Sequence, residues 1–257
     1  MSGTVPTVVD VGEYLEWIGF GGTPSADLET LAQLQRLHMT AVPFENLSIT
    51  QGIHLTTDPE ASVDKIVRAG RGGWCFELNG AFAWLLEQLG FQVTLLGAAV
   101  LLDGPSKVIE HLALEVTVDQ PYLVDVGFGE SFIRPLALNV AGPQDGGNGT
   151  YELMGSPQGT TLTRHVDDLP APEYRFKRVA HRLDDFTAVS SSMQVDPDKS
   201  WRSKPFATRL LDGGPDRVTL RTQRLKIVRD GVIDERALDG DEWEQLLVDW
   251  FGFPYRV

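Results

Sequence analysis

The apolar residues of this chain recur at helical spacing as far as Gly90 and at every second position from Phe91 onward. That single change of period sets helices first and strands after, an α+β order. In the helical part, Val11, Leu15 and Ile18 mark a helix over 8–20. Thr23-Pro24 offers an N-cap and first helical residue for a second, which runs through Leu28, Leu31, Leu34 and Leu37 until Pro43 ends it. A short helix from Ser62 stops at Gly70. A further helix follows Cys75, with Phe76, Ala83, Leu86 and Leu89 on its apolar face and Gly90 as its stop. Strands are expected at 92–102, 108–118, 122–126, 134–138, 151–154, 160–166 and 175–179. Many short strands at regular spacing suggest a barrel or a strongly curved antiparallel sheet. The 142–149 stretch is turn chemistry and receives no function. The last sixty residues mix strands at 218–220 and 225–229 with a helix at 241–250. No internal repeat or long linker interrupts the chain, so its parts should pack closely.

At 42% apolar and 9% aromatic residues the chain can build a sizeable core. Its single cysteine excludes an internal disulfide and any multi-cysteine metal site, and fits a reducing, cytoplasmic setting. Residues 1–10 lack the basic and apolar regions of a signal peptide. The apolar stretch at 93–102 is too short to span a bilayer, so no membrane partner is expected. A formal charge of −14 argues against nucleic acid as a partner. The charge is uneven: 199–229 holds nine Lys/Arg against two Asp, a net +7 that leaves −21 for the remainder. Such a basic strip suits a phosphorylated cofactor or an acidic partner protein, or is the solvated face of a few strands.

The cysteine sits in Arg71-Gly72-Gly73-Trp74-Cys75-Phe76-Glu77-Leu78-Asn79, at or near a helix N-terminus. Free backbone N–H groups and the helix dipole favour a thiolate there, the form that acts as a nucleophile. Taken alone, Cys75 would equally serve as a buried, inert thiol. A nucleophile needs a base, and the base an orienting acceptor. Of the five histidines, His111 lies in an expected strand, and the next strand carries Asp125 among apolar neighbours, a placement that is costly unless the carboxylate is paired. A hairpin with a three-residue loop at 118–120 sets His111 opposite Gly127 and Asp125 diagonal to it on the same face. A two-residue loop would put the two on opposite faces. The odd loop is expected. His38 and His54 fall in or near loops, His165 and His181 near strand ends, and none receives chemistry. With no His-Glu-x-x-His pattern and no cysteine pair, no metal site is expected.

These residues resemble the arylamine N-acetyltransferases. The resemblance runs through His38-Met-Thr-Ala-Val-Pro43-Phe44-Glu45-Asn46-Leu47, through Arg71 to Asn79, and through His111 followed by Val124-Asp125-Val126-Gly127-Phe128-Gly129. It implies an α+β fold of three parts, papain- or transglutaminase-like: a helical bundle over 1–90 carrying the nucleophile, a β-barrel over 91–195 carrying the histidine and aspartate, and an α/β lid over 196–257. It implies a Cys75–His111–Asp125 triad and ping-pong acyl transfer, with acetyl-coenzyme A as co-substrate, no tightly bound cofactor, and an arylamine acceptor. It also implies Phe44, Trp74 and Phe128 as aromatic walls of the acceptor pocket, and Gly127 and Gly129 as glycines that let the cofactor approach. One departure stands out. Where the family usually shows Ser-Thr before a Pro-x-Ser stretch, this chain has Gln194-Val195 before Asp196-Pro197-Asp198-Lys199-Ser200. The resemblance extends to the shorter amide synthases, which take a polyketide from an acyl carrier protein and close a macrolactam onto an aromatic amine. A papain-like hydrolase and a silent binding module are the competing classes, and the Val-Asp-Val-Gly-Phe-Gly segment and the complete Cys, His and Asp set speak against them.

Overall fold

The computed structural model describes residues 9–197, 200–239 and 242–255. The chain opens on helices Val11–Trp17 (α1) and Leu28–Ala41 (α2), a two-residue strand Phe44–Glu45 (β1), and helices Leu47–Thr50 (α3), Pro59–Val67 (α4) and Cys75–Gln88 (α5). The start of α2 differs from expectation. Asp27, not Thr23, is its N-cap, because the Asp27 carboxylate accepts the Thr30 N–H at 2.8 Å. Likewise α4 begins three residues before Ser62, where Asp58 caps Glu60 and Pro59 takes the first helical position. His38 lies inside α2, fully buried, and not in a loop.

Helix α5 is the axis of the molecule. Every residue from Cys75 to Ala83 is buried, so the helix is enclosed on all sides over its first two turns, and only the last turn exposes Glu87 and Gln88. It stops at Gly90, whose φ of +86° suits glycine alone, and the Phe91 N–H turns back to the Leu86 carbonyl.

Eight antiparallel strands follow: Gln92–Val100 (β2), His111–Thr117 (β3), Pro121–Val124 (β4), Leu136–Ala137 (β5), Pro143–Asp145 (β6), Thr150–Ser156 (β7), Gly159–Val166 (β8) and Leu169–His181 (β9). Their order, β5-β4-β3-β2-β9-β8-β7-β6, curls into a nearly closed barrel filled by Leu96, Phe132, Leu162, Tyr174 and Phe176. The seam between β5 and β6 is closed by a side chain. Gln144 imitates a strand, accepting the Ala137 N–H at 2.8 Å and donating to the Ala137 carbonyl at 3.0 Å. The Gly146 carbonyl takes the N–H groups of Ile133 and Arg134. The 142–149 stretch, expected to be only a turn, therefore completes the barrel. Strand β9 is far longer than expected. Pro170 and Pro172 mask its first half in the sequence, and beside them the register against β8 shifts between Leu162 and Thr163, where β9 carries Glu173 as an extra residue.

Past the barrel comes an unexpected helix, Thr187–Val195 (α6), rich in serine and without a capping side chain. Gln194 holds it in place by pairing with both backbone groups of Leu55, at 2.7 and 2.9 Å. This is what the residue departing from Ser-Thr does. The chain ends with Phe206–Leu210 (β10), Arg217–Arg221 (β11), Arg224–Arg229 (β12), Val232–Ala237 (β13) and helix Glu242–Phe251 (α7); the expected helix start at Asp241 lies outside the described residues. The four strands extend β1 in the order β1-β10-β11-β12-β13, and α7 covers one face through Trp243, Leu247 and Phe251. A strand of the helical segment thus begins the last sheet, and the parts interlock.

Candidate active site

Arg71-Gly72-Gly73 is sewn to β1. The Gly73 N–H donates to the Pro43 carbonyl at 3.2 Å, and the Glu45 N–H to the Gly73 carbonyl at 2.8 Å. A Cβ on Gly72 would fall 2.0 Å from the Pro43 oxygen, and one on Gly73 would meet Glu77 at 2.6 Å, so both positions require glycine for close approach. Arg71 is buried against the Phe253 ring and donates to Glu45 at 3.0 Å, so it serves as a strut for the loop. Glu77 accepts the Trp74 N–H and the Lys65 ammonium. Burial raises its pKa and Lys65 works against that rise.

This scaffold delivers Cys75 as the first residue of α5, 6% exposed, with its sulfur 3.9 Å from the Glu110 carbonyl at the entry to β3. The β3–β4 hairpin has the odd loop expected of it: Leu114 pairs with Val124 and Val116 with Tyr122. Carried past its last pair, Leu114 with Val124, the same register puts His111, the first residue of β3 and not its middle, on one face with Asp125 just beyond β4. His111 Nε2 and Asp125 Oδ2 lie 2.7 Å apart, with both side chains almost wholly buried. Nδ1 is left for the Cys75 sulfur. Burial, the largest single influence, pulls the His111 pKa down. The Asp125 charge and hydrogen bond, aided by the Cys75 thiol, outweigh it and carry the value to about 10.

Asn79, one turn along α5 from Cys75, is the last residue of the Arg71–Asn79 motif, and its role shows only in the fold. Its amide nitrogen donates to Asp125 Oδ1 at 2.9 Å and to the Leu112 carbonyl at 2.6 Å, while its oxygen accepts the Val126 N–H at 3.0 Å. The Gly127 N–H donates to the same Asp125 oxygen at 2.8 Å. Gly127 touches α5 so closely that a Cβ would fall 2.7 Å from the Asn79 amide and 2.8 Å from Cys75 Cα. At Gly129 the φ of +86° and the Phe44 ring account for glycine. Helix and loop packing therefore explain both glycines, and Gly127 also lines the cleft.

Above the sulfur opens a cleft of about 480 Å³. Phe44, Trp74 and Phe128 all line it, joined by Met193, Leu102 and Trp201, which sequence reasoning missed. Phe128 and Tyr174 each pack on the His111 ring at 5.1 Å between centroids. Trp201 bridges Phe44 at 5.8 Å and Phe206 at 5.6 Å. The basic strip divides between two faces of the last sheet. Arg209 is spent on the Trp250 and Thr40 carbonyls, and Lys199 lies outside the described residues. Strand register places Arg217, Arg221, Arg224 and Lys226 together on the face that carries Phe206. Among the described residues no group of three or more His, Cys, Asp or Glu could hold a metal ion, and no helix is long and apolar enough to cross a membrane.

A cysteine at a helix N-terminus set against a barrel-borne histidine and aspartate is the architecture of papain- and transglutaminase-like cysteine enzymes. Residues 27–256 match the N-acetyltransferase family profile. A chicken (Gallus gallus) arylamine N-acetyltransferase, pineal gland isozyme NAT-3, is 34% identical over 95% of this chain and 93% of its own. That of Mycolicibacterium smegmatis is 32% identical over 90% and 86%. The solved structure of the Mycobacterium marinum arylamine N-acetyltransferase superposes with a TM-score of 0.88 at 30% identity, covering 95% of this chain and 92% of the other; it has also been solved in complex with CoA. The chain belongs to the arylamine N-acetyltransferase family.

Proposed function

We propose that this protein moves an acetyl group from acetyl-coenzyme A, through an acyl-enzyme on Cys75, to the nitrogen of an arylamine. The observation that carries this reading is the meeting of Cys75 with the His111–Asp125 pair at the foot of an aromatic-walled cleft. The Cys75 thiolate attacks the thioester carbonyl while His111 holds the proton. Backbone N–H groups of the first turn of α5 receive the charge that develops on the carbonyl oxygen. The C–S bond to coenzyme A breaks, and His111 passes its proton to the departing thiolate. The amine nitrogen then attacks the acyl-enzyme and gives a proton to the neutral ring, and the Cys75 thiolate leaves beside the imidazolium that forms. Asp125 fixes the ring's orientation and offsets its positive charge.

Phe44, Trp74 and Phe128 suit a flat aromatic acceptor. Arg221, Arg224 and Lys226, on the sheet face that reaches the cleft through Phe206 and Trp201, suit the donor's phosphates. One relative carries CoA, which favours coenzyme A over a carrier protein as donor. The single cysteine fits a cytoplasmic setting.

The test is intact-protein mass spectrometry after brief mixing with acetyl-coenzyme A, with and without an aminobenzoate. The reading expects one acetyl adduct, absent in Cys75→Ala, that disappears when the amine is added. An adduct that persists in Cys75→Ala, or none with the wild type, would sink it.

A further inference from the structure

On the far side of the loop that carries Phe128, between the barrel and the last sheet, lies a second cleft of about 430 Å³. Its lining includes Arg164, Arg217, Glu130, Asn148 and Asp216. Arg217 is 5% exposed, and of its guanidinium nitrogens Nη1 donates to Thr208 Oγ1 at 3.2 Å while Nη2, also buried, has no partner. No carboxylate pairs with Arg217 among the described residues. Burial lowers its pKa only to about 10, so the group stays charged at neutral pH. A buried guanidinium without a counter-ion is costly, and folded proteins normally supply one.

The neighbouring acids are engaged elsewhere. Glu130 is shared between Arg164 at 3.6 Å and Lys226 at 3.9 Å, and its charge acts on Arg217 only from beyond ion-pair distance. Asp145, also in the lining, is held by Arg134 at 2.7 Å and by the Gly147 N–H. Asp216 receives the Asp230 N–H at 2.9 Å. Arg164 leans over the Tyr151 ring and donates to the Asn148 carbonyl, which fixes a second guanidinium at the cleft wall.

We propose that this cleft is a binding site for a small anion of the carboxylate or phosphate class, held by Arg217 Nη2 with Arg164 beside it. The planar fork of a guanidinium fits the oxygens of either group. The site is separate from the cleft above Cys75 and does not depend on the acetyl-transfer reading. It is nevertheless one side chain away: Thr208, which accepts from Arg217, is the cross-strand partner of Phe44 in the cleft wall.

The test is calorimetric titration of the full chain with inorganic phosphate and, separately, malonate, at constant ionic strength. One saturable site per chain is expected, with affinity at least tenfold weaker in Arg217→Gln and in Arg164→Gln. The probe that binds more tightly tells phosphate from carboxylate. Arg164 is partly exposed, so its variant decides the matter if Arg217→Gln does not fold. The proposal is overturned if neither probe saturates, if Arg164→Gln binds as the wild type does, or if coenzyme A displaces the probe, which would make the site part of the donor's.

Discussion

Asn79 clamps Asp125 from the side opposite His111: its amide donates to Oδ1 at 2.9 Å while Oδ2 faces the imidazole at 2.7 Å. The helix that presents Cys75 thereby also sets the carboxylate that orients the histidine. Asn79→Ala removes the clamp and leaves the Val126 N–H and Leu112 carbonyl short of a partner. We expect acylation by acetyl-coenzyme A to slow by about 10- to 100-fold, the size of effect seen when a metal-ligating histidine loses the partner that orients it. We expect stability to fall by about 1–3 kcal/mol from the unsatisfied backbone groups. Single-turnover acylation and urea unfolding read the two separately. A variant that is destabilised but acylates at the normal rate would show that Asp125 does not need the clamp.

Gly127 is the contact on which the loop and α5 close. Gly127→Ala pushes a methyl group against the Asn79 amide and Cys75 Cα, and overpacking of this kind costs about 1–3 kcal/mol. Because the clash falls on the Cys75 backbone, acylation should slow as well. Gly155→Ala is the control, since a Cβ there meets nothing within 4 Å and its φ is not positive. The two unfolding curves should separate, and coincident curves would mean that the loop shifts freely away from the helix.

Much of this site was legible in the chain. The Cys75 helix declared itself by spacing and a glycine stop, and the side-of-sheet parity of His111 and Asp125 followed from the length of one loop. What escaped had physical reasons. Asn79 acts on residues 33 to 47 positions away, and no local pattern encodes such bonds. Met193 and Trp201 reach the cleft from a serine-rich helix and the turn after it, where neither propensity nor periodicity is strong. Strand β13 is exposed at every position and so shows no alternation to read. Gln144 looked like part of a turn because its work, closing the barrel, belongs to a side chain imitating backbone.

That seam is testable. Gln144→Leu strips both bonds from Ala137 while keeping an apolar chain of similar length, and we expect about 1–2 kcal/mol less stability for the lost pairing. Gln144→Glu retains the acceptor for the Ala137 N–H and loses the donor to the carbonyl, so it should fall between the two. Acylation, set at the other side of the barrel strands, should be unchanged in both variants. Urea unfolding compared across the three proteins checks the order.

The pH response of His111 separates an orienting Asp125 from a passive one. In the wild type the Asp125 charge overrides burial and keeps the ring protonated up to about pH 10. The imidazolium should therefore persist through neutral pH, and the alkaline limb of the acylation rate should fall near pH 10. Asp125→Asn removes the opposing charge and leaves burial, which lowers the pKa, as the dominant influence. The limb should move down toward or below the ordinary value of 6.5, and the rate at neutral pH should drop by on the order of a thousandfold or more, as in other triads that lose this carboxylate. Stability carries the same signature. A histidine whose folded pKa is raised above its unfolded value adds stability that is fully present below pH 6.5 and fades as pH climbs toward 10. Urea unfolding measured across that window should show a downward slope in the wild type that Asp125→Asn lacks. If the variant keeps both the slope and the alkaline limb, the proton on His111 is governed by something other than Asp125, and the role proposed for this carboxylate fails.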